Sequence, residues 1–183
     1  MRLLTGKHGV QHIRNLINER HQVHAYAVEL TAKQVYSLAP TGAVDFGGNE
    51  YAPAERQAHP TYQKHSQDRY RWWNLVHGAY QMEFNETLEL APDEIALLEP
   101  HERLLRAGAA HPVQYLRGKQ DPVTTLLSIT GPQMQMKQNA RVSTLRVFRL
   151  EGPPARPPGG ARAPQKKARA KDKSRVKKRK GKR

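Results

Sequence analysis

The fold class is decided by residues 79–98, which read AYQMEFNETLELAPDEIALL. Residues 79–84 alternate between apolar and polar side chains, and two further apolar runs, 87–90 and 95–98, follow at short intervals. The dipeptide Asn85-Glu86 and the segment APDE separate the three runs as turns. Short alternating runs divided by turn residues are typical of antiparallel strands, so this stretch predicts a β-meander.

Strand patterns continue on both sides of the meander. The expected strands cover residues 26–30, 34–38, 123–129, 133–137 and 142–150. The polar stretch 49–71 is predicted to be a long loop, and residues 102–107 are expected to form a helical turn started by Pro100. Many short strands at close spacing indicate a barrel or a sandwich.

One short helix is expected before the strands. Between residues 8 and 19, the apolar residues Val10, Ile13, Leu16 and Ile17 recur at spacings of three and four. This spacing predicts a single amphipathic helix.

Charge is distributed unevenly along the 183 residues, whose formal net charge is +15. Residues 1–150 contain 17 Lys and Arg against 14 Asp and Glu, whereas residues 151–183 contain 14 against 2. The length permits one domain of ordinary size. We therefore predict a β domain over residues 1–150, a Pro- and Gly-rich linker over 151–164, and a basic tail over 165–183 that is disordered when free.

Several classes of protein are excluded by composition. The chain has no cysteine, which excludes disulfides, thiolate metal sites and cysteine nucleophiles. It has no apolar stretch of transmembrane length, and residues 1–10 lack the apolar core of a secretory signal. These observations predict a cytoplasmic protein with no membrane partner, and they leave association with a nucleoid open.

The tail composition predicts a polyanionic partner. Neutralising phosphates supplies sequence-independent affinity, so nucleic acid is the expected partner, with a role in solubility alone as the alternative. An anionic membrane is disfavoured because no amphipathic helix or lipidation site accompanies the charge. The tail cations are Lys166, Lys167, Arg169, Lys171, Lys173, Arg175, Lys177, Lys178, Arg179, Lys180, Lys182 and Arg183.

Four blocks of sequence carry a resemblance to a known family: GAYQMEFNE at 78–86, ALLEP at 96–100, LLRAG at 104–108 and NARV at 139–142. In order and spacing they resemble the dUTPase and dCTP deaminase superfamily, closest to its archaeal-type members. The resemblance implies a distorted β-barrel of the β-clip kind, and a homotrimer with nucleotide sites between subunits. It also implies a deoxynucleotide as ligand, with Mg²⁺ where a nucleoside triphosphate is bound.

The sequence departs from this family where the family performs its chemistry. The family grips the triphosphate with an arginine and small serines, but here the matching positions are His101, Glu102 and Arg103. Glu102 would repel a triphosphate by like charge. Where the family has a water-orienting carboxylate the chain has the segment around Gln114, and Thr144 replaces the glutamine of the last motif.

These departures predict a protein with impaired catalysis, and no catalytic residue is assigned. The candidates for a vestigial nucleotide site are Arg103, Arg106, Arg141 and Gln114. The alternative is a divergent dUTP diphosphatase or dCTP deaminase of nucleotide metabolism. Arg106 is retained from the family motif and supports that alternative.

Two other features have ordinary structural explanations. Trp72 and Trp73 follow arginines and could stack bases, but large aromatics mostly serve cores, so one indole is expected to anchor the long loop. His21 and His24 could present two imidazoles to a metal ion. Residues three apart face opposite sides of a strand, so no metal site is predicted.

Overall fold

The computed structural model describes residues 1–39 and 41–152; the predicted tail, and the linker beyond Gly152, lie outside the described residues. The helices are α1 (Gly6–Gly9), α2 (Glu19–Gln22) and α3 (Glu102–Arg106), with a 3₁₀ turn at Val10–His12. The strands are β1 (Arg2–Leu3), β2 (Ile13–Arg14), β3 (Val28–Leu38), β4 (Arg56–Ala58), β5 (Thr61–Tyr62), β6 (Trp72–Phe84), β7 (Thr87–Glu89), β8 (Glu94–Pro100), β9 (Ala109–Ala110), β10 (Gln114–Leu116), β11 (Lys119–Gln120), β12 (Thr124–Lys137) and β13 (Arg141–Arg149).

The strands form one large antiparallel sheet and one small one. The large sheet runs β10-β8-β13-β3-β6-β12-β9, with β1, β4 and β5 attached at the sides, and it curls into a half-barrel. The small sheet has the order β11-β7-β2. The predicted mostly β, barrel-like architecture is therefore confirmed.

The longest pairing joins β6 to β12, from Trp72 opposite Lys137 to Glu83 opposite Thr124. The sequence predicts two strands separated by Gly131-Pro132, but the structure has one strand whose register shifts between Ile129 and Gln133. Proline has no N–H to donate, so it is tolerated at such an irregularity without ending the strand.

The core lies inside the curl and is built from the apolar face of each long strand. The largest fully buried side chains are Trp73, Phe84, Leu30, Leu75, Met82, Leu88, Leu98, Leu104, Leu127, Ile129 and Leu145, with Gln22 among them. Trp73 is the indole that anchors the end of the long loop, as predicted. Trp72, its neighbour, is only partly buried.

The predicted N-terminal helix over residues 8–19 is wrong as a single element. The helical turns end at His12, and Ile13 and Arg14 instead pair with Leu88 and Thr87 of β7. Asn15 follows with a φ of 64°, a left-handed conformation that no helix continues through. Pairing with β7 buries Ile13, so tertiary contacts override the local periodicity.

Two further boundaries differ from those predicted. The expected strands at 26–30 and 34–38 are one strand, β3, whose pairing with β6 shifts register between Ala32 and Gln34. The expected loop over 49–71 is mostly irregular, but it contributes β4 and β5 to the large sheet. Within the described part of the chain, no helix is long and apolar enough to cross a membrane.

Candidate functional site

A buried carboxylate fixes the Asn85-Glu86 turn, the centre of the sequence block that carries the resemblance. Glu86 Oε2 accepts the Thr31 amide at 2.9 Å, and Glu86 Oε1 accepts the Thr31 hydroxyl and Gln22 Nε2 at 2.7 Å each. Burial raises the pKa of Glu86, while these hydrogen bonds oppose the rise. Asn85 extends the network by donating to Asn139 Oδ1 at 3.0 Å. The Asn85-Glu86 turn therefore ties together α2, β3 and the turn that precedes β13.

A second carboxylate, Glu29, gathers three donors. His24 Nε2 lies 2.9 Å and His101 Nε2 lies 3.1 Å from Glu29 Oε1, while Arg141 Nη1 lies 2.8 Å from Glu29 Oε2. Arg141 also donates to the backbone oxygen of His21 at 2.8 Å. Glu29 therefore joins α2, β3, α3 and β13 through two of the nine histidines and one predicted ligand-binding arginine.

Two of the three predicted phosphate-binding arginines share a cavity, and the third lies apart from them. Arg103 and Arg141 line a cavity of about 420 Å³ whose other wall includes Trp72. Arg106 is exposed and forms an ion pair with Glu102 within α3. His101 caps this helix, because its Nδ1 accepts the Arg103 amide at 3.0 Å.

A larger cavity of about 750 Å³ lies elsewhere, where β3, β6, β10 and β12 meet the irregular segment after β3. Its lining residues are Leu38, Gly42, Ala43, Val44, Tyr51, Ala52, Pro53, Ala54, Glu55, Arg56, Gln81, Gln114, Thr124, Thr125 and Leu126. Gln114, the fourth predicted site residue, is therefore in this cavity and not with Arg103 and Arg141. We call it the Gln114 cavity.

Two buried polar atoms of residues at the Gln114 cavity lack hydrogen-bond partners among the described residues. They are Gln114 Oε1 and Thr125 Oγ1. Thr125 is only 3% exposed and pairs with the fully buried Met82, so its side chain faces the core. The polar side chains on the cavity side of the sheet are those of Gln81 and Thr124, together with Arg56.

One side of the Gln114 cavity is held by a fixed polar network. Arg56 lies over the Tyr36 ring at 4.4 Å and donates to Gln81 Oε1 at 3.3 Å. The Tyr36 hydroxyl in turn donates to Glu83 Oε2 at 3.2 Å, and Lys33 Nζ lies 2.8 Å from Glu83 Oε1.

These contacts shift the pKa values of two side chains in the network. Burial raises the pKa of the Tyr36 phenol, and the neighbouring Glu83 charge adds to the rise. The hydrogen bond to Glu83 raises the pKa of Lys33, so Lys33 stays protonated at neutral pH. The network is therefore a positioned scaffold beside the cavity.

Sequence reasoning missed most of the Gln114 cavity. Glu55 and Arg56 fall in the segment predicted to be a loop, and Glu55 is the carboxylate among the described lining residues. Gln81 and Thr124 lie in predicted strands, and no sequence signal distinguishes their cavity-facing side from any other exposed face of the sheet.

The described residues contain no grouping of three or more histidine, aspartate or glutamate side chains placed to hold a metal ion. His24, for which a metal role was considered and disfavoured, instead contacts Glu29. The cavity lined by Arg103 and Arg141 and the Gln114 cavity together offer cations, amides and hydroxyls as ligand-binding groups.

Comparison with known proteins gives a consistent set of relatives. The chain is 25% identical over 142 residues to a probable deoxyuridine 5'-triphosphate nucleotidohydrolase of Methanosarcina mazei, covering 75% of this chain and 78% of the relative. It is 27% identical over 143 residues to the protein of the same name from Methanosarcina barkeri, with the same coverage. No protein-family model matches.

Among solved structures, the chain resembles 2'-deoxycytidine 5'-triphosphate deaminase from Agrobacterium tumefaciens, with a TM-score of 0.56 and 15% identity. The match covers 80% of this chain and 48% of that one, so the chain spans about half the length of the deaminase. At this identity the likeness concerns the fold.

Proposed function

Because this chain is related to the dUTPase and dCTP deaminase superfamily, we propose that it binds a pyrimidine deoxynucleoside triphosphate and converts it slowly or not at all. The observation that carries the proposal is the Gln114 cavity itself, whose wall combines Gln114 with the polar side chains of Gln81, Thr124 and Arg56. The relatives named as dUTPases make a deoxynucleotide the first ligand class to test.

The polar side chains of the Gln114 cavity suit a pyrimidine. A glutamine carbonyl oxygen accepts a hydrogen bond, and both the uracil N3–H and the cytosine amino group donate one. A glutamine amide or a threonine hydroxyl donates to the ring carbonyl that both bases carry.

The triphosphate would need cations that the Gln114 cavity lacks on its own, apart from Arg56. Arg103 and Arg141 lie in the second cavity of the same chain. We propose that the protein is a homotrimer in which the basic cavity of one subunit completes the Gln114 cavity of a neighbour. Mg²⁺ would then arrive with the triphosphate rather than as a resident ion.

Impaired catalysis follows from the residues that face the ligand. Gln114 stands in the segment where the family has its carboxylate, and an amide cannot take a proton from an attacking water. Glu102, which replaces a serine of the family motif, is exposed on α3 and places negative charge beside the phosphates. Its partner Arg106 neutralises this charge in part.

The test is calorimetric titration with dUTP and dCTP in the presence of Mg²⁺, together with a turnover assay. We expect binding by the natural chain and loss of at least tenfold in affinity in Gln114→Leu. The matched control is Gln11→Leu, at an exposed glutamine away from the Gln114 cavity. Turnover at the rate of an ordinary dUTPase would contradict the impairment, and absence of nucleotide binding would contradict the proposal itself.

One observation favours the second candidate, a divergent hydrolase or deaminase. Glu55 lies at the Gln114 cavity and is exposed, so a carboxylate is available there from an unexpected segment. If the natural chain turns over dUTP or dCTP and Glu55→Gln abolishes turnover with unchanged affinity, the chain is a divergent hydrolase or deaminase. Equal turnover in Glu55→Gln would remove this candidate.

We further propose that the basic tail binds nucleic acid. The support is compositional, because residues 151–183 hold 14 Lys and Arg against two acids. Phosphate neutralisation by such a segment is independent of sequence and is weakened by salt. Three tails on one trimer would act together through a high effective concentration.

A further inference from the structure

The outer face of the β6–β12 ladder carries an aromatic ring among amides and lysines. Trp73 of β6 is buried opposite the buried Met136 of β12, which fixes the core side of both strands. Side chains alternate along a strand, so their neighbours point to the other side of the sheet. The outward residues at this end of the ladder, which we call the Trp72 face, are Trp72, Asn74, Val76, Gln133, Gln135 and Lys137.

The segment between β5 and β6 borders the Trp72 face and contacts it. Lys64 Nζ donates to Gln135 Oε1 at 3.2 Å, and Asp68 Oδ1 lies 3.0 Å from Lys137 Nζ. Trp72 Nε1 donates to Asp68 Oδ2 at 3.3 Å. The ammonium groups of Lys64 and Lys137 lie 4.8 Å and 5.3 Å from the centroid of the Trp72 ring. The indole is therefore held at the surface among cations.

The charge of this region is positive. None of the six residues of the Trp72 face is acidic, and the nearby Asp68 is already paired with Lys137. The bordering segment adds Lys64, Arg69 and Arg71, none of which forms an ion pair within the described part of the chain. Cations together with an aromatic ring match the phosphates and flat bases of an unpaired strand. A duplex offers only the phosphates, because its bases are stacked on one another.

We propose that the Trp72 face binds single-stranded nucleic acid, with a base stacked on Trp72 and phosphates at the surrounding cations. The inference rests on the proposed binding of nucleic acid by the tail. The tail supplies most of the affinity, and the Trp72 face adds a preference for unpaired bases.

The stacked base takes the place of Lys64 on the indole. An exposed cation–π contact shifts an equilibrium about two- to fivefold, whereas a stacked base shifts it about five- to 150-fold, so the exchange is favourable. The displaced Lys64 is then free to pair with a phosphate. Gln135 Oε1, which loses the Lys64 donor, can accept a hydrogen bond from the edge of the base.

One strand can contact the tail and the Trp72 face of the same chain. Residues 151–164 span at most about 45 Å of extended chain. A domain of 150 residues is about 40 Å across, so the length between the domain and the tail cations covers the distance to any face of the domain.

The test measures the affinity of the full chain for three probes. They are a dT strand of about 20 nucleotides, an abasic strand of the same length and a duplex of about 20 base pairs. We expect Trp72→Leu to weaken dT binding at least tenfold and to leave the abasic strand and the duplex unchanged. Trp72→Tyr keeps an aromatic ring and should recover most of the dT affinity. The matched control is Tyr115→Leu, at an exposed aromatic residue of β10 outside the Trp72 face, and it should change none of the three.

A second variant does not touch the ring. Lys64→Gln, at an exposed residue, should reduce the salt slope of log affinity for the dT strand by about 0.7, the value for one phosphate contact on a single strand. Lys64 lines neither the Gln114 cavity nor the cavity of Arg103 and Arg141. The affinity for dUTP should therefore be unchanged in Lys64→Gln, which separates this surface from the proposed nucleotide site.

Four outcomes would overturn the inference. Affinity for the dT strand that is unchanged in Trp72→Leu, or that falls equally for all three probes, would remove the Trp72 face and leave the tail as the binding element. Dissociation of an oligomer by Trp72→Leu would assign the face to a contact between copies of the chain. Equal weakening of poly-glutamate and dT binding in Trp72→Leu would assign it to an acidic protein. Absence of binding to every probe by the natural chain would remove the tail proposal as well.

Discussion

His101 Nε2 lies 3.1 Å from Glu29 Oε1, so the residue that caps α3 is tied to the buried carboxylate of β3. The other ring nitrogen, Nδ1, accepts the Arg103 amide at 3.0 Å. Both contacts are made at once only by the neutral tautomer with its proton on Nε2. The position where the family has a phosphate-binding arginine therefore serves here to hold the helix against the sheet.

Replacing His101 by leucine should destabilise the domain. The change removes a helix cap, worth about 1 kcal/mol, and one of the hydrogen bonds of Glu29, worth about another 1 kcal/mol. We expect the free energy of unfolding in urea to fall by about 1–2 kcal/mol. His77→Leu, at an exposed position on β6, is the control and should change it little. An equal effect of both changes would show that the contacts of His101 contribute nothing to the free energy of unfolding.

Glu86→Gln should destabilise the domain by more than the small chemical difference between the two side chains suggests. Both carboxylate oxygens of Glu86 accept hydrogen bonds, from the amide and hydroxyl of Thr31 and from Gln22 Nε2. A glutamine amide would set its NH₂ group against one of these donors and leave it unpaired. The cost should be about 2 kcal/mol of unfolding free energy. Glu89→Gln, three residues along and exposed, is the matched control, and a loss equal to that control would contradict the prediction.

The fold class could be predicted from the sequence because apolar and polar residues alternate along its strands and turn residues separate them. Residues 79–98 predict β7, β8 and the second half of β6. The predicted N-terminal helix is wrong for a physical reason. Its apolar spacing fits a helix, but Ile13 gains more burial by pairing with β7.

The candidate site was less predictable than the fold. Arg141 lines a cavity together with Arg103, but its ion pair with Glu29 could not be predicted, because the partner of a charged side chain depends on which strands become neighbours. Glu55 and Arg56 reach the Gln114 cavity from a segment with no periodic pattern. The exposure of Phe46 likewise depends on how residues 44–51 fold. Nothing in its sequence neighbourhood distinguishes it from a core phenylalanine.

Acid should weaken the domain partly through His111. This side chain is buried, its Nε2 lies 2.7 Å from the Ser143 hydroxyl and its Nδ1 lies 2.9 Å from the Pro112 oxygen. Burial lowers the pKa of His111 below the ordinary value of 6.5. The unfolded chain therefore binds this proton more readily, so the stabilisation is complete above about pH 6.5 and is lost as pH falls from there towards the folded pKa.

The measurement for His111 is a titration of the histidine ring signals by NMR, alongside urea unfolding between pH 7.5 and 5. His111 should titrate below the ordinary histidine value of 6.5. In His111→Gln the loss of stability per pH unit should be smaller, by up to about 1.4 kcal/mol, which is the limit for one proton. Titration of His111 at or above pH 6.5 would contradict the assignment.

Truncation after Gly152 should remove nucleic-acid binding while leaving the domain intact. The cut keeps Glu151, whose carboxylate pairs with the amino terminus at 3.2 Å. If about six tail cations neutralise duplex phosphates, log affinity should fall with log salt with a slope of about −5. The intact chain, if trimeric, should bind at least about 10²-fold more tightly than an isolated tail peptide. A full-length control with glutamine at Lys177, Lys178, Arg179 and Lys180 should show a shallower slope. Equal binding by the truncated and intact chains to unrelated duplexes at two salt concentrations would show that the tail is not the binding element.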